Sequence, residues 1–381
     1  MRIHRLFVLV VSLSVSEGKL AWQLPWGDLA SLMSRRDVLE DATSSSVGAL
    51  ASILTVTQQI TKVSMKSSTQ SLLDSNRNVN GLYQVTDPRT FSAVAYAPPI
   101  TSTATTINAS TRSEGAKANS VPPPLILVLH GAGKNDKPDV FDELVLNKES
   151  RSTPVEHGGL IPNIIAEPDI FAPPPTLLDR FAVLAPYSGV GTTGFYELPR
   201  RSLLDFLAWA ASPEGQSIGN CPAFDPQNVI LFGFSDGATV AVELLTSRSL
   251  SQNVAGAILC SYGYSGERLP PQALQRLTNI PFWVFHAQDD SIFDVKKTSD
   301  RLVQQLRQAC EVETRANNKD VCQDRIRYSR FRSGGHVGMG VAASTSPDVY
   351  DWLWQQVEHR RSQVRVAVDG STDDRYDGAV P

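Results

Sequence analysis

Residues 228–238 read NVILFGFSDGA, and this stretch decides the fold. A short apolar run leads into Gly233, Ser235 and Gly237, and a helical pattern follows at 239–249. Glycines two positions before and after a serine let a strand turn sharply into a helix while the serine hydroxyl projects from the turn. The pattern predicts a strand–turn–helix unit with Ser235 at the helix N-terminus, where free N–H groups favour negative charge.

A second aliphatic run, at 125–133, predicts a buried strand that ends in a small-residue loop. A tetrahedral intermediate of acyl transfer needs two N–H donors, and small residues let the backbone approach a bound oxygen. We expect these donors to be the backbone N–H groups of Ala132 and Asp236, with His130 and Gly131 supporting the loop. The alternative is an ordinary turn, in which the glycines serve only to reverse the chain.

The third segment, at 281–290, is another buried-strand pattern and ends in two carboxylates. An acid at the end of a strand can orient a catalytic imidazole and stabilise it once protonated. We assign this role to Asp290, with Asp289 in reserve. The alternative is an aspartate that caps the helix beginning near Val295, a position for which Asp294 is better placed.

Residues 328–336 predict a strand that runs into a Gly-Gly loop presenting His336. A lone loop histidine is usually an ordinary surface residue. The order Ser235, Asp290, His336 sets this one apart, because a nucleophile–acid–histidine order is specific to one of the known triad folds. The remaining histidines lie in a targeting segment, beside the small-residue loop, in a polar insertion, within a strand end and on a charged helix: His4, His130, His157, His286 and His359.

Together these segments resemble the α/β-hydrolases of the phospholipase/carboxylesterase type, which include acyl-protein thioesterase-like, polyhydroxybutyrate-depolymerase-like and predicted-peptidase members. The likeness covers about residues 120–360, and residues 156–162 also resemble a segment of the predicted-peptidase branch. Two positions depart from the family. Ala287 follows His286 where glycine is usual, and Asp236 follows the serine where Gln or Met is frequent. We expect the Asp236 carboxylate to point away from the developing negative charge.

The resemblance implies an α/β-hydrolase fold, with a mostly parallel central sheet, helices on both faces and an N-terminal antiparallel strand pair. Residues 134–179 form an insertion without regular alternation. The predicted strands are 82–86, 90–96, 125–130, 181–186, 228–233, 255–261, 281–286 and 326–332. The predicted helices are 199–212, 239–249, 295–309 and 348–359.

These residues predict a serine hydrolase that cleaves a carboxylic ester or thioester of a small molecule or lipid through an acyl-enzyme. Ser235 attacks the acyl carbon, His336 transfers the proton and Asp290 fixes the imidazole tautomer. The chemistry requires no metal and no organic cofactor. A serine peptidase of the same fold and a non-catalytic α/β-hydrolase that binds a ligand remain open as alternatives.

Other chemistries are less well supported by the sequence. It contains no H-E-x-x-H, no paired C-x-x-C and no Walker A loop. Residues 189–194 match G-x-G-x-x-G, which raises a nucleotide site as an alternative. However, no helix follows at once, and Asp205 comes too early to be the ribose-binding acid. The segment fits better as a loop that lines the substrate cleft.

Composition indicates an ordinary globular chain. Of its 381 residues 41% are hydrophobic and 19% charged, and the formal net charge of −4 gives no electrostatic reason for binding nucleic acid or anionic membranes. For the four cysteines we favour two pairs, Cys310–Cys322 and Cys221–Cys260; reduced thiols are the alternative.

Residues 1–21 predict a secretory signal peptide that is too short to span a bilayer, with cleavage after Ser16 or Ala21. An upstream or mistranslated start is the alternative. Residues 22–80 form a Ser/Thr-rich presequence or disordered linker. The twin arginines at 35–36 resemble a twin-arginine export signal. A signal peptide followed by an aromatic residue, Trp22, and a Ser-rich stretch also resembles the bipartite plastid presequence of some algae, so delivery to a thylakoid lumen is an alternative to plain secretion. The predicted catalytic domain spans 81–360, and 361–381 predict a disordered tail.

Overall fold

The computed structural model describes residues 15–16, 19–20, 78–99, 121–133, 139–145, 160–263, 269–313 and 319–369. The chain divides into two units, Met1–Gln70 and Ser71–Pro381. In the first unit, strands β1 (Val15–Ser16) and β2 (Lys19–Leu20) form an antiparallel pair. The rest of the predicted signal peptide and nearly all of the predicted linker lie outside the described residues.

The second unit is built on one nine-stranded sheet. Its strands are β3 (Asn78–Val79), β4 (Leu82–Thr86), β5 (Ser92–Tyr96), β6 (Pro124–Leu129), β7 (Ala182–Pro186), β8 (Asp225–Phe234), β9 (Val254–Cys260), β10 (Phe282–Ala287) and β11 (Ile326–Phe331). Their order in the sheet is β11-β10-β9-β8-β6-β7-β5-β4-β3. The six strands from β11 to β7 are parallel, and β5, β4 and β3 add antiparallel at one edge. The predicted fold class is therefore confirmed, and β3 extends the predicted strand pair.

Helices connect these strands. They are α1 (Val140–Leu144), α2 (Leu160–Ala166), α3 (Pro168–Phe171), α4 (Pro175–Arg180), α5 (Arg200–Ala210), α6 (Pro213–Ser217), α7 (Asp236–Leu245), α8 (Arg248–Ser251), α9 (Pro271–Leu277), α10 (Ser299–Glu313), α11 (Lys319–Arg325), α12 (Gly335–Thr345) and α13 (Pro347–Asp369), with a 3-10 turn at Phe195–Glu197. The insertion predicted at 134–179 thus contains four short helices among its described residues. None of the described helices combines the length and apolarity needed to cross a bilayer.

The core consists of two apolar layers, one on each face of the sheet. Strand β6 shows the reason, because successive side chains of a strand point to opposite faces. Leu125 and Leu127 lie in the layer with α5, α7 and α10, whereas Ile126 and Val128 lie in the layer with α1, α4 and α13. Full burial of each such side chain contributes about 1.5–3 kcal/mol. Both faces are covered, so the ligand-binding loops are confined to the strand ends.

One predicted disulfide is present and the other is wrong. Cys310 in α10 and Cys322 in α11 are bonded, whereas Cys221 and Cys260 are buried free thiols. Cys221 belongs to the apolar layer on one face of the sheet and Cys260 to the layer on the opposite face, so the sheet separates them.

The C-terminal helix is longer than the sequence predicted. It continues to Asp369, whereas a disordered tail was expected from residue 361. The guanidinium of Arg360 donates to the carbonyl of Gln227, and that of Arg361 donates to the carbonyl of Pro122. These contacts hold the later turns against the ends of the strands. Residues 370–381 lie outside the described residues.

Candidate active site

Ser235 stands between β8 and α7 in a strained backbone conformation. Its φ is 54° and its ψ −115°, a region that costs a non-glycine residue about 1–3 kcal/mol. The turn is crowded on both sides. A Cβ on Gly233 would lie 2.6 Å from the Cα of Ala238, and one on Gly237 would lie 2.0 Å from the carbonyl oxygen of Leu129. Only glycine fits at these two positions, so the predicted turn has a steric basis.

The structure brings Ser235, His336 and Asp290 together, although 101 residues separate the serine from the histidine. His336 Nε2 lies 2.9 Å from Ser235 Oγ, and His336 Nδ1 lies 2.8 Å from Asp290 Oδ2. The serine follows β8, the acid follows β10 and the histidine begins α12 after β11. All three lie at the carboxyl ends of parallel strands. A proton can pass from the hydroxyl to the imidazole, whose other nitrogen faces a carboxylate.

The side chain of Asp290 is fully buried. Burial alone would raise its pKa, but the close contact with His286 and the hydrogen bonds from His336 and the N–H of Phe293 outweigh burial and hold the pKa well below its usual range. Its Oδ1 accepts from the N–H groups of Ile292 and Phe293, at 2.8 and 2.9 Å. These bonds fix the carboxylate so that Oδ2 faces the imidazole.

His286 is a site residue that the sequence ranking passed over. It is fully buried, with Nε2 3.0 Å from Asp290 Oδ2 and Nδ1 2.6 Å from the hydroxyl of Ser299. The Nε2 contact falls outside hydrogen-bond geometry. His286 therefore affects the Asp290 carboxylate through the closeness of its ring. The available sequence signal was its position four residues before the acid.

His336 is held by its neighbours as well as by Asp290. The ring packs against the rings of Phe234 and Phe293, each with its centroid 5.2 Å away. The reserve acid, Asp289, does not reach the imidazole. Its carboxylate accepts from the N–H groups of Gly334 and Gly335, at 3.2 and 2.8 Å, and so fixes the loop that leads into His336.

The small-residue loop after β6 lies beside Ser235. A Cβ on Gly131 would be 3.2 Å from the Cβ of Ser235. His130 is buried, and its Nε2 accepts from the N–H of Ser188 at 3.1 Å, which leaves Nδ1 to donate to the carbonyl of Gly131 at 2.7 Å. The N–H of Gly133 donates to the carbonyl of Thr193 at 2.8 Å. The Gly133 donor is therefore occupied, which favours the N–H of the neighbouring residue, Ala132, as the predicted oxyanion donor.

Asp236 supplies a first-turn N–H of α7, a position without an intrahelical acceptor. Its side chain is directed at the loop after β7, where Oδ2 accepts from the N–H of Tyr196 at 3.2 Å. Burial raises the pKa of this carboxyl, and the N–H groups of Tyr196 and Phe195 and the charge of Arg200 offset part of that effect.

The glycine-rich segment at 189–194 forms part of this cleft. Thr193 holds the Ala132 loop, and a Cβ on Gly194 would lie 3.3 Å from the Cα of Ala132 and 2.6 Å from Asp236 Oδ2. The 3-10 turn separates the segment from α5, so its N–H groups do not lead into a helix N-terminus as in a dinucleotide site. The segment therefore lies against the loop of Ala132 and the side chain of Asp236.

Comparison with known proteins gives one family match and several similar folds. Over residues 215–327 the chain matches a family model described as phospholipase/carboxylesterase, a range that includes Ser235 and Asp290 and ends before His336. A comparison with curated protein sequences found no significant match.

Among solved structures, a thermostable esterase is 17% identical with a TM-score of 0.44, and the match covers 72% of this chain and 62% of that one. The chain thus spans less than two thirds of the length of that esterase. A Bacillus cereus carboxylesterase is 18% identical with a TM-score of 0.37, covering 71% of this chain and 96% of that one. A Mycobacterium tuberculosis puromycin-hydrolyzing peptidase is 14% identical with a TM-score of 0.37, covering 73% and 40%.

The sheet order, the strained turn at Ser235 and the match over 215–327 together identify the fold of the chain as that of the α/β-hydrolases.

Proposed function

We propose that the protein is a serine hydrolase that cleaves a carboxylic ester or thioester through an acyl-enzyme intermediate. The observation that carries this proposal is the hydrogen-bonded chain from Ser235 Oγ through His336 to Asp290, with separations of 2.9 and 2.8 Å. A serine is a weak nucleophile unless a base takes its proton, and the base must itself be oriented by a third group. Both conditions are met by this arrangement.

The reaction begins when Ser235 Oγ attacks the acyl carbon and its proton passes to His336 Nε2. The charge that develops on the acyl oxygen is stabilised by the N–H groups of Ala132 and Asp236; loss of one such donor typically lowers turnover by about 10²–10³. The imidazolium, stabilised by Asp290, then protonates the departing alcohol or thiol. In the second half, His336 takes a proton from water, and the resulting attack on the acyl-enzyme releases the acid and regenerates Ser235.

Covalent labelling tests this proposal directly. A fluorophosphonate should modify wild-type protein at one residue, identified by peptide mass spectrometry as Ser235, and Ser235→Ala should abolish the adduct. His336→Ala should slow labelling by at least about 10³, since a triad acts as a unit. Absence of a Ser235 adduct on well-folded wild-type protein would contradict the proposed enzymatic activity and favour the alternative of a ligand-binding α/β-hydrolase.

The leaving group is decided by a substrate panel. Nitrophenyl esters and thioesters of graded acyl length are compared with aminoacyl and peptidyl anilides at equal concentration. The proposal expects kcat/KM for the esters or thioesters to exceed that for the anilides by at least about 10², or 2.7 kcal/mol of differential transition-state binding. The reverse order would establish the peptidase alternative.

We also propose that the chain enters the secretory pathway through residues 1–21. The disulfide Cys310–Cys322 supports this, because disulfides persist mainly in oxidising compartments. Fusion of residues 1–21, and separately of residues 1–80, to a reporter distinguishes the destinations. Export with the shorter segment supports secretion, and plastid delivery only with the longer segment supports the bipartite presequence.

A further inference from the structure

Two adjacent residues at the end of β9 contact both the nucleophile and the base. The carbonyl of Cys260 accepts from the backbone N–H of Ser235 at 2.9 Å. The hydroxyl of Ser261, the next residue, donates to the backbone carbonyl of His336 at 2.6 Å. The main chains at Ser235 and His336 are therefore tied to consecutive positions of one strand end, next to the triad hydrogen bonds.

Ser261 reaches His336 only because its own backbone is unusual. Its φ is 49°, in the left-handed region that non-glycine residues rarely occupy. It is completely buried, and its N–H donates to the carbonyl of Phe285 at 2.9 Å, which fixes the residue to the end of β10 as well. Strain of this kind persists only where the surroundings enforce it, and it concentrates at functional sites.

We propose that Ser261 is a positioning residue for the reaction: its hydroxyl fixes the main chain of His336 so that Nε2 stays within reach of the Ser235 hydroxyl. This inference rests on the proposed function. Asp290 restrains the imidazole ring, and Asp289 restrains the residues before His336. The Ser261 hydroxyl acts on the carbonyl side of His336, where it prevents rotation of the first turn of α12 away from the nucleophile.

The contact has a chemical consequence beyond stability. A buried hydroxyl that donates to a carbonyl can be lost at a cost in folding free energy alone. A positioning role demands more, because small displacements of reacting groups lower rates far out of proportion to their effect on stability. If Ser261 is a positioning residue, removal of its hydroxyl must slow the acylation of Ser235 even under conditions in which the variant remains fully folded.

Three variants separate these roles. Ser261→Ala removes the hydroxyl and keeps the left-handed strain, whereas Ser261→Gly removes the hydroxyl and relieves the strain. Ser212→Ala is the matched control, because the Ser212 hydroxyl also donates to a main-chain carbonyl at 2.6 Å, that of Trp209, and it caps α6 away from the site. For each protein the second-order rate of fluorophosphonate labelling, kcat and KM on one nitrophenyl ester, and the melting temperature are measured.

We expect both Ser261 variants to label about tenfold more slowly than wild type, the scale of one hydrogen bond, with kcat lowered and KM unchanged. Ser261→Gly should melt at a higher temperature than Ser261→Ala without recovering the rate. Ser212→Ala should melt lower than wild type and keep the wild-type rate. Recovery of the rate in Ser261→Gly, or a wild-type rate in Ser261→Ala, would overturn the inference and leave the proposed function intact. Wild-type protein that shows no Ser235 labelling at all would instead overturn the proposed function.

Discussion

The carboxylate of Asp236 accepts a hydrogen bond from the backbone N–H of Tyr196, at 3.2 Å. The N–H of the same Asp236 is the donor we assign to one half of the oxyanion hole. The loop that contains Tyr196 also holds the other half, because the carbonyl of Thr193 accepts from the N–H of Gly133. One side chain thus links the two backbone segments that must converge on the acyl oxygen.

We expect Asp236→Ala to lower kcat by about tenfold, because the loop loses the acceptor for the N–H of Tyr196. Asp236→Asn retains an acceptor oxygen for Tyr196 and removes the negative charge of the carboxylate, which opposes the development of an oxyanion at the site, so its kcat should equal or exceed that of wild type. Steady-state kinetics on one nitrophenyl ester measures both. Equal loss in the two variants would mean that the charge, and not the acceptor, is what the site requires.

Asp236→Asn should also raise stability at neutral pH. Burial raises the pKa of Asp236 above its unfolded value of about 3.9, so the folded state favours the protonated form. The stability that comes from protonating Asp236 is fully present below the unfolded pKa and is lost as the pH rises through the folded pKa. The variant should therefore melt above wild type at pH 7, and the difference should disappear towards pH 4. A constant difference across this range would contradict the assignment.

Asp289 provides a separate test of the loop before His336. Asp289→Ala removes the acceptor for both Gly334 and Gly335, and we expect kcat to fall about tenfold with little change in KM, because the imidazole loses its alignment. Asp289→Asn keeps one acceptor oxygen, so its kcat should lie between that of Asp289→Ala and that of wild type. Asp294→Ala is the control, since Asp294 likewise accepts a backbone N–H, that of Lys296, at 2.9 Å. An equal effect in the control would show a general weakening of this region.

Asp290 changes the free energy of unfolding with pH in the opposite direction from Asp236. Its folded pKa is depressed, so its stabilising effect is fully present above the unfolded pKa and is lost as the pH falls through the folded pKa. We expect Asp290→Asn to lower the free energy of unfolding by about 2 kcal/mol at pH 7. The gap should narrow below about pH 4, where the unfolded carboxyl takes up its proton. Denaturant titrations at several pH values measure this gap.

The disulfide Cys310–Cys322 closes a short loop, with a sequence separation of 12. Its removal by a double Cys→Ser change should cost about 3 kcal/mol by the loop-entropy model. The two other thiols should not react with a thiol reagent in the native state, because burial raises the pKa of Cys221 to about 12 and that of Cys260 further. Unfolded protein should expose two thiols without reductant and four with it. Rapid labelling of native protein would contradict this burial.

The sequence predicted the sheet well because its parallel strands, apart from the edge strand β11, contain continuous apolar runs. Boundaries were less accurate where local signals conflict. Helix α7 begins at Asp236 instead of 239, because Gly237 weakens a helical pattern that packing nevertheless enforces. Helix α10 begins at Ser299 instead of 295, since residues 294–298 form a turn in which Asp294 accepts from Lys296.

Site residues were predictable where they sit in a local motif and were missed where they act across the sheet. Ser235 and His336 each follow a glycine-marked strand end. Ser261 directly follows a buried strand, and nothing in its sequence neighbours indicates a polar partner. His286 lies within a buried strand and was passed over for that reason, although its partner Asp290 is only four residues away. The contact of Ser261 with His336 depends on the order of β9, β10 and β11 in the sheet. Strand order is a tertiary property, so this contact required the structure.

The backbone at Ser235 opposes the fold's own stability. Its angles of 54° and −115° mirror an extended conformation that glycine adopts freely. The Ser235→Gly variant should therefore melt at a higher temperature than the wild type, while it loses the hydroxyl that we propose as the nucleophile. Selection for stability alone would favour glycine at this position, whereas the proposed reaction requires serine. Thermal stability and the proposed reaction therefore favour different residues at position 235.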